Sequence, residues 1–517
     1  MLQLDTLTLE QKIGQLMIIG FDGTQADSGL LEMISRYHVG GVILFARNVQ
    51  SSRQVAELVN KLQQTATESG NPGLFIAVDQ EGGRVARLTE DTGFTEFPSA
   101  MAIGATADPD NAYRMASAMA AEMGAVGINI DFAPVLDVNN NLANPVIGTR
   151  SFGSDPKTVA AFGVAFARGL QENGVLAFGK HFPGHGDTGT DSHIALPLVP
   201  HDRARLDQME LVPFKAALAE KFAGIMSAHV TFPAIDPNPG MPATLSRSVL
   251  TGLLRDELGF KGLIATDSLE MGALAENGYP PPVAATHAFA AGADVLLFNR
   301  DHSMHSQAFA NLVQAVKEGI VSQEQLDSSV RRILEAKEKF DILNPRRVAD
   351  PTKSGGSTTT AEHHALALEL ARKAITLLKD DVSLLPVRPG EPLLVIETVA
   401  AKGLGTLLGA TTLEIKNDPD ASAIAAALGK AHDGRKIIVT ATDANFYPGQ
   451  IKLVTELLVK NPKIIMVSIR TPYDISVLRT VPTVLAAYGG NLPSLQAIAD
   501  VLMGKSQASG VLPVTLP

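Results

Sequence analysis

Between Lys180 and His193 the chain reads KHFPGHGDTGTDSH, which gathers three His, two Asp and one Lys directly after an apolar stretch. Asp191 and His193 stand two apart, and in an extended backbone their side chains share one face. A carboxylate so placed accepts the proton of one imidazole nitrogen, fixes the tautomer and raises the basicity of the other nitrogen. That pairing is a proton-transfer device. Two other readings of the loop stay open. In one, its charges are merely solvated. In the other, His181, His185 and His193 with Asp187 and Asp191 ligate Zn or Fe. Pro183 and the glycines make that spacing irregular, and no HExxH-type helical motif is present.

Such groups need rigid elements behind them. Short β-rich apolar runs at 16–21, 41–45, 74–78, 128–135, 175–179, 224–229, 262–266 and 293–298 alternate with helical patterns. One intervening helix shows the punctuation: Asp155 as N-cap, Pro156 as first residue, an apolar stripe of Val159, Phe162, Phe166 and Leu170, and Gly174 as the stop. Eight strands separated by helices fit a (β/α)₈ TIM barrel, with a doubly wound sheet as the rival. The placement of polar residues favours the barrel. They cluster just after the strands, at 79–84, 131–137, 180–193, His229 and 267–270, and a barrel opens all those ends onto one face. Met226 and His229 end a strand either as packing or as pocket wall. Residues 344–360, NPRRVADPTKSGGSTTT, read as a linker. Past it comes a second α/β unit, with a helix over 361–378 and buried parallel strands at 393–396, 437–440, 464–469 and 484–487. The expected division is therefore a barrel over 1–343, the linker, and an α/β sandwich over 361–517.

Composition narrows the function classes. Hydrophobic content of 45% and charged content of 19% suit a globular protein with a large core. The formal charge of −11, with no basic stretch, argues against a nucleic-acid partner. Without Cys there is no disulfide, thiolate metal site or cysteine nucleophile. The N-terminus MLQLDTLTLEQKIGQLMIIGF lacks a basic region followed by a continuous apolar run, so the expectation is a cytoplasmic chain without a signal peptide, unless it is the processed form of an exported one. No stretch approaches the ~20 apolar residues of a membrane span. With no Trp and only 5% aromatics, stacking platforms for a long polysaccharide are scarce. A pocket for one terminal sugar fits better.

Four ordered motifs carry a family resemblance. VDQEGGRVARL (78–88), NIDFAPVLDV (129–138), KHFPGHGDTGTDSH (180–193) and TDSLEM (266–271) resemble the barrel motifs of family 3 glycoside hydrolases, and within them the β-N-acetylglucosaminidase branch. ARKAITLLKDDVSLLPV (371–387) and SGVLPVTLP (509–517) are similar to the second domain of the two-domain form. The resemblance implies a barrel followed by an α/β sandwich. It implies Asp267 as nucleophile, His193 and Asp191 as acid/base dyad, and Asp79, Arg87, Arg150, Lys180 and His181 as sugar-binding residues, with no cofactor. Glu81 and Glu270 flank the site without an implied role. The activity so implied is a retaining, exo-acting β-N-acetylglucosaminidase on peptidoglycan fragments or chito-oligosaccharides, with a phosphorylase or β-glucosidase of the same family as alternatives. Family members that draw their acid from a Glu in the second domain lack the GDTxxDSH loop. For Asp267 the competing reading is a helix N-cap.

Overall fold

The computed structural model describes residues 4–192, 194–343, 348–431 and 435–516. The eight apolar runs become β1 (Met17–Ile19), β2 (Gly41–Leu44), β3 (Phe75–Val78), β4 (Ile130–Asp131), β5 (Leu176–Phe182), β6 (Gly224–Ser227), β7 (Leu263–Ala265) and β8 (Leu296–Leu297). They pair in parallel in the order β7-β6-β5-β4-β3-β2-β1-β8, and a parallel bridge from Ala265 to Val295 closes the barrel. Every residue of these strands is buried. Strands covered on both faces need no polar alternation, which is why they read as continuous apolar runs. The helix Pro156–Glu172 starts as its sequence requires. The Asp155 carboxylate accepts the Thr158 amide, and the buried stripe contains Val159, Phe162, Phe166 and Leu170.

Two strands depart from their sequence signal. β4 is two residues long rather than eight, because Pro134 lacks an N–H and the segment after Asp131 bonds irregularly, as in Phe178 N–H to the Ala133 carbonyl at 2.9 Å. β5 runs on past Gly179 through Lys180, His181 and Phe182, so Lys180 and His181 belong to a rigid strand and not to the loop. Charge ended the apolar pattern there, but buried carboxylates compensate it.

The second unit is a six-stranded sheet of β9 (Thr376–Asp380), β10 (Leu393–Thr398), β11 (Thr411–Ile415), β12 (Lys436–Ala441), β13 (Ile464–Ser468) and β14 (Thr483–Ala486), ordered β11-β10-β12-β13-β14-β9. Alternate residues serve opposite faces. Val395, Ile438 and Leu485 pack under the helices Ala361–Ala374 and Leu492–Leu502. Leu394, Ile396, Val439 and Val484 pack under Ala421–Lys430 and Pro448–Lys460. The helix expected over 361–378 stops at Ala374, and its end becomes the antiparallel edge strand β9. Edge strands β9 and β11 are half-exposed, so neither carries the buried-strand signal. No helix among the described residues is long and apolar enough to cross a membrane.

Candidate active site

The C-terminal ends of β3 to β7 form the barrel mouth, and each supplies polar side chains. Asp79 follows β3 directly. The chain then turns back through Gly82 and Gly83, at φ 86° and 59°. A Cβ on Gly82 would lie 2.5 Å from the Pro98 carbonyl oxygen, so the return needs glycine. Gln80 fastens it: its side-chain oxygen accepts the Arg87 and Leu88 amides at 2.8 and 3.1 Å. Arg87 thereby comes back to within 3.7 Å of the Asp79 carboxylate.

From β5, Lys180 places Nζ 2.8 Å from Asp79 and 2.7 Å from Glu81, at 2% side-chain exposure. Arg150 forks onto Glu81 with two 2.8 Å bonds, and its Nη2 reaches His181 Nε2 at 3.3 Å. Asp137 completes the ring. Its Oδ2 accepts from His181 Nδ1 at 2.6 Å, and its Oδ1 takes the His185 amide at 2.6 Å.

The charges support one another. Burial alone would lower the Lys180 pKa, but Asp79 and Glu81 outweigh it and hold the ammonium above its ordinary value. Burial pushes Glu81 up, yet Arg150 and Lys180 bring it below the usual carboxylate range. Asp131, fully buried beneath them, goes the other way: burial raises its pKa well above the ordinary value. Its Oδ1 accepts the Gln80 amide at 2.9 Å, and its Oδ2 has no hydrogen-bond partner among the described residues.

Asp267 stands two residues beyond β7, half-buried, with Oδ1 accepting the Ser268 amide at 2.7 Å. Burial works against its charge, but the fields of His229 and His181, the Ser268 amide and Lys180 prevail and lower its pKa. It caps no helix, since the next one begins at Gly272 after Met271. His229 follows β6 and lies beside this segment, its Nε2–H donating to the Ser268 carbonyl at 2.8 Å and its Nδ1 2.8 Å from Thr244 Oγ1.

The Gly-rich loop is tied at several points. His185 places Nδ1 2.9 Å from Thr188 Oγ1 and Nε2 2.9 Å from Ser192 Oγ. Burial, then the charge of His181, push its pKa down to about 4, so the ring is neutral. Asn144 Nδ2 donates to the His185 and Gly186 carbonyls at 2.9 Å, and His201 pairs with Asp187 at 2.7 Å. The Asp191 carbonyl accepts the Ile194 and Ala195 amides, each at 3.0 Å. His193 lies outside the described residues. No group of three or more His, Asp or Glu among the described residues is arranged to hold a metal.

Eight residues were singled out for this site from the sequence. The structure brings Asp79, Arg87, Arg150, Lys180 and His181 into one network, with Asp267 at the same mouth and Asp191 on the adjoining loop. Three further residues belong to it. Glu81, without an expected role, is the hub between Lys180 and Arg150. Asp137 holds His181, and its signal was a lone carboxylate inside an apolar run. His229 flanks Asp267. Glu270 instead accepts from the Asn299 amide at 2.7 Å and pairs with His305 at 3.0 Å, outside this network.

Comparison with known proteins gives a consistent picture. The profile described as "Glycosyl hydrolase family 3 N terminal domain" matches residues 8–336. Beta-hexosaminidase A of Pseudoalteromonas piscicida is 35% identical over 99% of this chain and 97% of its own. The Cellulomonas fimi protein named beta-N-acetylglucosaminidase/beta-glucosidase is 28% identical over 98% of this chain and 93% of its own. Among solved structures, a glycoside hydrolase family 3 beta-N-acetylglucosaminidase from Paenibacillus sp. str. FPU-7 superposes with a TM-score of 0.94 at 40% identity, covering 99% of both chains.

Proposed function

This chain belongs to glycoside hydrolase family 3, and from that membership we propose that it removes terminal β-linked N-acetylglucosamine by a retaining, exo-acting mechanism. The observation that carries the reading is Asp267, a carboxylate kept ionised by neighbouring imidazoles and an ammonium at the same barrel mouth as the Asp79, Lys180 and Arg150 network. A nucleophilic carboxylate must be deprotonated and rigidly held, and Asp267 is both. Asp267 attacks the anomeric carbon and forms a glycosyl ester, while His193, oriented by Asp191, gives its proton to the departing oxygen. The imidazole then takes a proton from water as that water attacks the ester, and the β configuration returns. Asp79, Arg87, Arg150, Lys180 and His181 fix the ring hydroxyls and so orient the anomeric carbon. Arg87 Nε, buried with no protein partner among the described residues, is a donor such a hydroxyl would satisfy.

The choice of sugar rests on the relatives' names, beta-hexosaminidase and beta-N-acetylglucosaminidase. The absence of Trp favours a short substrate, a peptidoglycan fragment bearing N-acetylmuramic acid or a chito-oligosaccharide. Product analysis on aryl β-glycosides, with and without inorganic phosphate, tests the proposal. It expects free N-acetylglucosamine as the sugar product in both cases. N-acetylglucosamine 1-phosphate would make the enzyme a phosphorylase, and turnover confined to the glucoside would refute the sugar assignment.

A further inference from the structure

The chain between β4 and the helix Pro156–Glu172 makes an excursion that touches His181, the Gly-rich loop and Glu81. It opens with Asp137, which holds the His181 ring and the His185 amide. In its middle, Asn144 grips the His185 and Gly186 carbonyls and, at 3.2 Å, Thr188 Oγ1. Near its end, Val146 takes a hydrogen bond on its carbonyl from Arg84, and the turn Gly148–Arg150 delivers the guanidinium to Glu81 and His181. The excursion itself forms no strand, and only the short turn at Gly148–Arg150 is helical. Barrel contacts hold parts of it, among them the Asn139 amide on the Gly153 carbonyl at 2.9 Å and Ser151 Oγ on the Asp137 carbonyl at 2.6 Å.

The second domain adds contacts at Asn139, Leu142 and Gly148. Asn139 Nδ2 donates to Tyr473 Oη at 2.9 Å, and that hydroxyl lies 3.4 Å from the Asn139 carbonyl, to which it donates in return. Asn445 Nδ2 reaches the Leu142 carbonyl at 3.4 Å. Gly148, at φ 46°, sits so close to Thr471 that a Cβ there would stand 3.2 Å from the threonine methyl. Thr471 is held in turn, donating to Asp443 at 3.0 Å, while Asp443 pairs with Arg470 at 3.1 Å. Tyr473 is 3% exposed and packs in an apolar cluster shared with Met101, Ala102 and Leu142 of the barrel.

We infer that the second domain is a clamp that sets the sugar-binding half of the site, with Tyr473 and Thr471 as positioning residues acting through the 137–150 excursion on Arg150 and His181. This rests on the reading that Arg150 and His181 hold the sugar. Tyr473→Phe keeps the ring and its packing and removes both hydroxyl bonds. Loss of positioning at that level should raise KM about five- to tenfold while kcat on an activated aryl glycoside stays within about twofold. A merely structural tyrosine would lower the melting temperature and leave KM alone. Coupling is the sharper readout: in an Arg150→Lys background, Tyr473→Phe should add almost nothing further to KM, because both changes act on the same contact. Thr471→Val, close in volume but unable to donate to Asp443, should raise KM in the same sense and serves if Tyr473→Phe folds poorly. If Arg150→Lys raises KM but neither second-domain variant does, or if the effects multiply fully, the clamp is wrong. If Arg150→Lys leaves KM unchanged, the sugar-site reading fails and takes the clamp with it.

Discussion

Lys180 is a cation at 2% exposure that lies within 3 Å of two carboxylates, and a charge so deep is tolerable only because it is paired. Removing one partner of such a pair typically costs 3–5 kcal/mol, so Glu81 and Asp79 are expected to matter for folding as well as for sugar binding. Asp267 is different. Among the described residues its ionisation is favoured by the fields of His229, His181 and Lys180 and by the Ser268 amide, with no dedicated ion pair. Under the proposed mechanism the proton donor is separate from these groups, and its contribution depends on the substrate. His193→Ala should slow the cleavage of alkyl or sugar aglycones by the ~10²–10⁴-fold typical of general acid–base catalysis. A nitrophenolate leaves with little protonation, so its release should suffer only modestly, and Asp191→Ala should show the same trend more weakly. Equal loss across leaving groups, read from kcat/KM on an aryl and alkyl series, would place the acid elsewhere. Asp267, Lys180 and Arg150 were legible from the sequence because a motif marks them. Glu81 and Asp137 were visible as letters, but their service as hubs depends on side chains from four different segments meeting.

At the scale of elements, the loop after β5 is held by a buried neutral imidazole. The folded His185 titrates near about 4, below its ordinary 6.5. Between those values the unfolded chain binds a proton that the folded chain refuses. His185 thus adds stability that is fully present above pH 6.5 and falls away as the pH drops towards 4, at up to ~1.4 kcal/mol per pH unit. His185→Gln should flatten that slope, measured as the difference in denaturation midpoint between pH 7 and pH 5. A slope unchanged by the substitution would assign it to other groups. The eight barrel strands could be read from sequence because burial on both faces makes them uniformly apolar. The continuation of β5 through Lys180 and His181 could not, since Lys180 is compensated by Asp79, 101 positions away, and His181 by Asp137, 44 away, and no local pattern carries that information. The half-exposed edge strands escaped for the opposite reason: they are not buried enough to show.

At the scale of the molecule, the two units meet over contacts that only the fold creates. Arg114 forks onto Glu369 with two 2.9 Å bonds, and Ser99 Oγ donates to the Tyr488 carbonyl at 2.7 Å. The C-terminal segment lies back on the barrel through the Val511 amide on the Ala105 carbonyl, at 2.8 Å. Between the units, the segment expected as a linker includes a short helix, Ser354–Thr358, whose Thr358 hydroxyl donates to the Gly93 carbonyl at 2.6 Å. The division at residues 344–360 remains our proposal, and limited proteolysis tests it. Cleavage should fall between Asn344 and Lys353, N-terminal to that packed helix, and the nicked halves should still co-elute on native gel filtration. Halves that separate would contradict the seam described here. The central claim, a covalent glycosyl-enzyme on Asp267, is tested most directly by mechanism-based labelling. The full-length enzyme is incubated with a fluorinated N-acetylglucosaminyl fluoride, digested and analysed by mass spectrometry. The expected result is one sugar per chain, on the peptide containing Asp267. A sugar on any other carboxylate, or a released oxazoline with the protein unlabelled, would contradict the account.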